Sequence, residues 1–574
     1  MSIAPAWIVV GRTDGAIDAA ALTADGDELS RERIDEADWA AWVAEREHAS
    51  PRWVWSDAVR WQPGLLASGV RVARCHDLRL CHAILRHSAW VADATALGAH
   101  AEWTTAPVEE RKVEGAALFE WEEPTTAPAG PPDDLASTLE EFARQRDAVA
   151  GAADAGRLRL LLAAESAGAL IAGELRAAGL PWDEGVHDTL LRGALGERPA
   201  GGGAPTRMAA LATEVRALLG DPALSLDSQP KLLRGLHRAG VLVESTSRWE
   251  LREHQHPAIA PLLEYKKLAR LLTANGWNWL EEWVDQGRFR PVYIPGGVVT
   301  GRWASSGGGA LQLPRQLRPA VRADPGWRLV VADVAQLEPR VLAAMAQDSA
   351  LAAAARGRDL YAGIVDTGTV ATRDEAKVAL LGAMYGATTG DSGRLVPRLR
   401  RTFPRAMGLV DAAAETGERG GVVTTWLGRS SPAPSAGWLE AQAAASQPGA
   451  APAEETRARR WARDRGRFTR NFVVQGTAAE WALAWLADLR TRLAQLPPVD
   501  VDAAAPRSGP VFQQRPHLAM FLHDEVIVHT PAALAAAVAD AAREAAASAT
   551  RLLFGDIPLD FPLDLRIAET AAKG

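Results

Sequence analysis

The chain has 574 residues, of which 48% are hydrophobic and 23% charged, with a formal net charge of -8. That length exceeds one ordinary core and predicts several domains, and two cysteines, Cys75 and Cys81, cannot build a disulfide framework. No apolar run reaches the ~20 residues that span a bilayer, and the start MSIAPAWIVVGRTDG lacks the basic end and apolar stretch of a signal peptide, so the expected location is the cytoplasm, with no membrane partner.

Residues 1–123 mix short apolar runs (Trp7–Val10, Trp53–Trp55) with amphipathic helical patterns, predicting a small α/β unit. EPTTAPAGPPDD reads as a Pro-rich linker over 124–134. Helical periodicity dominates from there to about Asp285, broken by ERPAGGGAPT, and a β-rich stretch follows from Phe289. Leu329 to Ala332, LVVA, reads as a buried strand; residues 340–430 are largely helical, and 430–455 reads as a low-complexity mobile loop. His517–Leu522 and Val526–His529 predict a hairpin near the end.

The acid excess is unexpected for a nucleic-acid partner, yet affinity for a polyanion depends on where the cations sit. Nearly all positive charge is arginine, clustered at Arg394, Arg398, Arg400, Arg401 and Arg405, and again at Arg457, Arg459, Arg460, Arg463, Arg465, Arg467 and Arg470. Solvated helix faces would account equally for such clusters taken alone. Cys75, His76, Cys81, His82 and His87 crowd one short stretch, but their spacing matches no standard zinc pattern, and they read as structural thiols and surface imidazoles.

Asp333 follows the LVVA strand, and Asp524 and Glu525 sit at the tip of HLAMFL-HDE-VIVHT. If the two strands pair, the acids meet and repel unless cations lie between them; an all-oxygen set suits Mg²⁺, and two such ions activate an attacking oxygen and stabilise a leaving one. Each aspartate read alone is equally a strand-end or turn residue. Between them, Thr372 with Glu375 predicts a capping box opening a helix. Arg373 and Lys377 share one face of it, continued by Leu381 and Tyr385. Like charges at that spacing are mildly unfavourable; a triphosphate between them reverses the sign, while salt bridges to nearby acids are the alternative.

At these residues the sequence resembles the family A DNA polymerases of the bacterial DNA polymerase I type. DVAQLEPR from Asp333 to Arg340 is similar to motif A; Arg373, Lys377, Gly382, Tyr385 and Gly386 fit motif B; His523-Asp524-Glu525 fits motif C. TGR at Thr300–Arg302, Leu311-Gln312, LEYKKLARLL from Leu263, and Asn471 with QGTAA from Gln475 agree, so the likeness runs from about residue 160 to the end.

The resemblance implies an α/β and α+β multidomain fold: a right-hand polymerase (palm, fingers, thumb) preceded by an RNase H-like exonuclease-type α/β domain. The implied domains are 1–123 exonuclease-like, 135–288 connector and thumb, 289–348 first part of the palm, 349–470 fingers and 471–574 second part of the palm. It implies Mg²⁺-dependent primer extension, Mn²⁺ being a substitute, by a monomer acting on primer–template DNA and deoxynucleoside triphosphates. Asp333, Asp524 and the Val334 carbonyl would hold two ions, with Glu525 beside them; Arg373 and Lys377 would bind the triphosphate, Lys377 also protonating the leaving group. Gln336, Glu338, Tyr361, Leu381 and Tyr385 would complete the nucleotide site, Glu338 excluding a ribose 2′-hydroxyl. Arg302, Arg467, Asn471, Gln475 and His523 would track the DNA, whose minor-groove acceptors are largely independent of sequence.

Departures are Leu381 where the family has an aromatic, Val334 for a tyrosine and Tyr361 for a histidine. At the N-terminus, WIVV runs into GRTDG with no Asp-x-Glu, Trp61 stands where a second metal aspartate is expected, and Asp77 reads as a helix-start residue. The expected exonuclease fold is therefore degenerate, and no segment is left for a 5′ nuclease. The competing readings are a catalytically silent DNA-binding scaffold and a single-subunit RNA polymerase-like enzyme.

Overall fold

The computed structural model describes residues 4–104, 130–357, 359–386 and 390–572. Most of the linker expected over 124–134, residues 124–129, lies outside them, as does the 105–123 part of the first expected domain. The chain divides into two compact units: one of Met1–Gly179, Val292–Leu311 and Pro325–Ala568, the other of Leu180–Pro291, Gln312–Asp324 and Glu569–Gly574.

The first unit opens with a five-stranded sheet of β1 (Trp7–Thr13), β2 (Ala16–Leu22), β3 (Glu28–Asp35), β4 (Arg52–Trp55) and β5 (Cys75–Asp77), ordered β3-β2-β1-β4-β5. The β1–β2–β3 part is antiparallel, and β4 and β5 add in parallel. Its core is tryptophan-rich: Trp39, Trp53, Trp55 and Trp61 pack with Ile8, Val10 and Leu65. Gly11 is required by packing, because a Cβ there would lie 2.1 Å from the Leu135 nitrogen at the start of the Leu135–Ala150 helix.

The five-residue cysteine–histidine stretch is corrected in one respect. Both thiols are buried and free as expected, and burial pushes both upward. His76 and His82, however, are core residues rather than surface imidazoles: His76 Nε2 meets Gln145 Oε1 and His82 Nδ1 meets Glu141 Oε1, each at 2.8 Å. Their partners come from one face of a helix some 60 residues later, which no local pattern announces.

The Ala155–Ala178 helix packs against this first sheet and against the 44-residue Pro452–Gln495 helix. Glu174 is buried between Arg71, 2.8 Å away, and Arg490, 2.6 Å away, so one carboxylate joins three parts of the fold. Burial opposes the charge on Glu174, but Arg490 and Arg71 together hold it down to about 2.

A second, four-stranded antiparallel sheet follows the spatial order His517–Leu522, Glu525–Pro531, Trp327–Val334, Leu563–Ala568. The LVVA run is central and buried, with Val330 opposite Val528 and Asp333 opposite Glu525. Helices Ala535–Phe554 and Pro452–Gln495 pack on one another, and the first of them also packs on this sheet. Pro339 falls in the first turn of the Leu337–Ala346 helix, where its missing N–H costs nothing.

The stretch 430–455, expected to be a mobile loop, instead holds a helix at Ala436–Ala445, capped by Ser435, whose hydroxyl accepts from Trp438 N at 3.2 Å. It packs on the long helix: Trp438 Nε1 donates to Trp461 O at 3.2 Å and Gln442 Nε2 to Ala458 O at 2.9 Å. The Ala/Ser/Pro bias suggested low complexity, but WLEAQAAA consists mainly of strong helix formers.

The second unit is mainly helical, with a small sheet of Leu180–Pro181, Arg288–Phe289 and Val284–Asp285. LEYKKLARLL lies in the Ile259–Asn275 helix, burying Leu262, Tyr265, Leu268 and Leu271 at a spacing of three. Trp182, His187, Trp279 and Phe289 form an aromatic cluster beside the small sheet.

Candidate active site

The strand that carries Asp333 and the hairpin that carries Asp524 are hydrogen-bonded neighbours. Asp524 lies in the two-residue turn, and Val334 N donates to its carbonyl at 2.9 Å. His523, which opens that turn, has a φ of 60°, the left-handed conformation that tight hairpins demand. The strand pairing thus brings both carboxylates to one sheet end. Burial, and then the field of Asp333, push Asp524 up to about 6. Glu525 is buried directly opposite Asp333 in the ladder. Among the described residues, no group of three or more His, Cys, Asp or Glu side chains is placed to hold a metal.

Asp524 lines a cavity of about 250 Å³ together with Arg302, Gln336, Glu338, Tyr361, Leu381, Tyr385 and His523. Of the residues expected to form a nucleotide site, Gln336, Glu338, Tyr361, Leu381 and Tyr385 line one cavity, and Arg373 and Lys377 are not among its lining. Glu338 is bound from two sides: the Tyr385 hydroxyl donates to it at 2.5 Å, and the Arg302 guanidinium pairs with its other oxygen. Burial and then Glu338 raise the Tyr385 hydroxyl above its ordinary range, whereas burial and then Arg302 lower His523.

Arg373 and Lys377 project from the exposed face of the Arg373–Tyr385 helix. Its start is a modified capping box: Glu375 N donates to Thr372 Oγ1 at 3.1 Å, while the Glu375 carboxylate reaches Ala371 N at 2.8 Å. Arg373 reaches the cavity rim through Tyr361, its guanidinium lying 5.4 Å from the ring centre. Burial and then Asp359 push the Tyr361 hydroxyl up to about 12.

Asp359 is a residue that the sequence reading missed. It accepts from Arg373 at 2.8 Å and from Gln336 Nε2 at 3.0 Å, and it caps the Leu360–Asp366 helix through Ala362 N at 2.9 Å. Its position just before a helix was the visible signal, but that signal reads only as a cap. Gln336, with a φ of 50°, turns the chain from the Asp333 strand into the next helix.

One face of the Pro452–Gln495 helix supplies Ala478 and Ala482 to the cavity. Gln475, Asn471 and Arg467 continue along it at steps of four. Gln475 Oε1 accepts from Thr300 at 3.0 Å, Asn471 Oδ1 is buried without a hydrogen-bond partner among the described residues, and Arg467 pairs with Asp464.

The acids of the first sheet are arranged differently. Asp133 accepts from Trp61 Nε1 at 2.9 Å and from Arg12 at 2.8 Å, also bonds Ser56, and has Arg60 at 3.4 Å. Trp61 is buried with the Arg12 guanidinium 4.1 Å from its ring centre. Asp57 pairs with Arg79 at 2.7 Å, and Asp77 caps the Leu78–Leu85 helix through Leu80 N at 2.9 Å, as a helix-start residue should.

A family model described as DNA polymerase family A matches residues 206–569, more than half of the chain. DNA polymerase I of Chloroflexus aurantiacus is 30% identical over 234 residues, 36% of this chain and 25% of that protein. The thermostable DNA polymerase I of Thermus aquaticus is 25% identical over 403 residues, 63% of this chain and 43% of that protein. The chain thus spans less than half the length of these relatives. Among solved structures, the POL domain of Pol1 from M. smegmatis, in complex with DNA primer-template and dNTP, shares the fold with a TM-score of 0.65 at 16% identity, over 98% of this chain and 95% of that one. No helix among the described residues is long and apolar enough to cross a membrane. With the three motifs gathered at one cavity and the family model covering most of the chain, the protein belongs to DNA polymerase family A.

Proposed function

We propose that the chain is a template-directed DNA polymerase that adds deoxynucleoside 5′-triphosphates to a primer 3′-hydroxyl. The observation that carries this reading is the Val334–Asp524 backbone bond, which sets two carboxylates at the end of paired strands beside the cavity. An all-oxygen pair, one member of which is raised by burial and then by its neighbour, fits divalent ions, and Asp333, Asp524 and the Val334 carbonyl would hold them. Bound there, two Mg²⁺ ions, or Mn²⁺ in their place, would activate the primer hydroxyl and stabilise the departing pyrophosphate.

The chain's own groups then have distinct tasks. Arg373 and Lys377 bind the triphosphate, and Lys377 gives a proton to the leaving group. Tyr361 holds Arg373 at the rim. Glu338, fixed by Arg302 and Tyr385, occupies the room that a ribose 2′-hydroxyl would need. Tyr385 stacks near the templating base, Leu381 lies against the sugar, and Arg302, Arg467, Asn471, Gln475 and His523 follow the primer–template. In this reading the palm is 289–348 with 471–574, the fingers 349–470, and the thumb and connector 135–288. Residues 1–123 are an exonuclease-type domain without nuclease activity: Asp57 pairs with Arg79, Asp77 caps a helix, and Arg12 and Trp61 are engaged by Asp133, which follows the domain. The enzyme works as a cytoplasmic monomer.

Primer extension tests this. Wild type should extend a primed template with deoxynucleotides and Mg²⁺, and Asp524→Ala should lose on the order of a thousandfold in rate. Wild-type protein that leaves the primer unextended with either ion contradicts the proposal.

A further inference from the structure

The loop that delivers Arg302 to Glu338 rests on a buried ion pair outside the cavity. Between the strands Val292–Ile294 and Ala304–Gly307 the chain turns through residues 295–303. Val298 N donates to Arg302 O at 3.0 Å and Gly301 N to Val298 O at 2.7 Å, which closes the turn. Glu165, 1% exposed, lies against this loop, and Arg429 pairs with it at 2.7 Å.

The pair uses only one end of each group. Glu165 Oε1 and Arg429 Nε are buried with no hydrogen-bond partner among the described residues. Both atoms face the loop: a Cβ on Gly296 would lie 2.5 Å from Glu165 Oε1, and one on Gly301 would lie 2.5 Å from Arg429 Nε. Gly301, at a φ of 83°, leaves the guanidinium room that a side chain would fill, and Arg302 is the next residue.

Arg429 is itself fixed, because its turn is held from two sides. Thr425 and Leu427 N bond the buried Glu480, Leu427 at 3.0 Å, and Trp426 N donates to Thr477 Oγ1 at 3.0 Å, both partners lying on the Pro452–Gln495 helix. Ser88 Oγ donates to Gly428 O at 3.2 Å and Ala89 N to Ser430 Oγ at 2.8 Å, so the first-sheet region grips the same turn. A buried ion pair is often no more stabilising than apolar groups of its size, so stability alone does not account for it. Fixing one arrangement of the loop does.

We propose that Arg429, held by Glu165, is a positioning residue for sugar selection: by seating Gly301 it fixes the aim of Arg302, and so the place of the Glu338 carboxylate in the cavity. This rests on the polymerase reading and on Glu338 as the group that excludes a ribose 2′-hydroxyl. Arg302 reaches Glu338 from a loop, so its direction depends on what holds that loop. Tyr385, the other group on Glu338, comes from a helix and needs no such support.

The test is single-nucleotide addition by the full-length protein with deoxy- and ribonucleotides. It compares wild type, Arg429→Gln, Arg429→Lys, Glu165→Gln, Glu338→Ala and the Arg429→Gln/Glu338→Ala double variant. Wild type should select deoxynucleotides. Arg429→Gln and Glu165→Gln should each lower the deoxy-to-ribo ratio of kcat/KM about fivefold. Arg429→Lys keeps the charge but not the planar group on Gly301, and should lower the ratio about threefold; it carries the test if the glutamine variant fails to fold. In the Glu338→Ala background, Arg429→Gln should change the ratio no further, because nothing is left to position. Thermal unfolding midpoints report any general loss of fold. Equal losses with both sugars, an unchanged ratio, or effects that multiply in the double variant would each overturn the proposal and leave Arg429 a structural brace. Wild type that extends while Glu338→Ala keeps the ratio removes the role of Glu338 and this proposal with it. Wild type that extends no primer removes the polymerase reading as well.

Discussion

The two sheets of the first unit give their acidic side chains different partners, although each holds one carboxyl raised by burial and then by a neighbouring carboxylate: Asp77 beside Asp57, up to about 7, and Asp524 beside Asp333, up to about 6. In the first sheet region, Asp133 is held by Arg12, Arg60, Ser56 and Trp61, Asp57 by Arg79, and Asp77 by backbone N–H groups. In the second, Asp333 and Asp524 approach each other across paired strands, and Asp524 is pushed up to about 6 by burial and by that neighbour. In the first sheet the repulsion is met from within the chain, because Arg79 pairs with Asp57 and the Ala58 and Leu80 nitrogens donate to Asp77. Similar surroundings, a strand end against a helix start, therefore give a structural brace in one place and a candidate metal centre in the other.

The comparison is broken most directly by substitution at the second sheet. Asp333→Asn should reduce primer extension on the order of a thousandfold while leaving the folded protein intact by circular dichroism. A variant with wild-type rate would mean that the pair is not the centre.

Glu174 joins the two regions through Arg71 and Arg490. Glu174→Ala leaves two guanidinium groups buried without their carboxylate and should cost about 3 kcal/mol in urea unfolding. Because the folded state holds this acid down to about 2, against an ordinary 4.5, its stabilisation is full above pH 4.5 and is lost as pH falls towards 2. Wild type should therefore lose part of its stability between about pH 5 and pH 2, and the variant should show less of that loss.

At the first sheet, Asp133→Ala should cost about 2 kcal/mol of stability, since Arg12 stays partly exposed and rehydrates. It should change no 3′-end nuclease activity, because none is expected in wild type. Release of nucleotides that this substitution abolishes would make the two regions alike after all. The smallest effect is at the cavity wall. Glu338→Ala should raise ribonucleotide incorporation relative to deoxynucleotide about tenfold, read from single-nucleotide addition rates.

Local patterns in the sequence carried the second sheet well. The LVVA run, the apolar runs on either side of HDE and the Thr372 cap each depend on neighbours within a few residues, and each became the expected element. What escaped depended on distant partners. His76 and His82 were read as surface groups because Gln145 and Glu141 lie far along the chain. Asp359 looked like a helix cap and is also the anchor of Arg373 and Gln336. Trp61 was legible as a missing acid, but its bond to Asp133 was not. The Ala436–Ala445 helix was hidden by composition: alanine-rich stretches read as low complexity until a packing partner is in view.

The most direct test of the aspartate pair is Mn²⁺ binding measured by electron paramagnetic resonance, with primer–template and a non-hydrolysable deoxynucleotide analogue present. Asp333→Asn and Asp524→Asn should each weaken bound Mn²⁺ by about tenfold or more, and Asp133→Asn should leave it unchanged. Equal Mn²⁺ affinity in wild type and in both second-sheet variants would contradict the account.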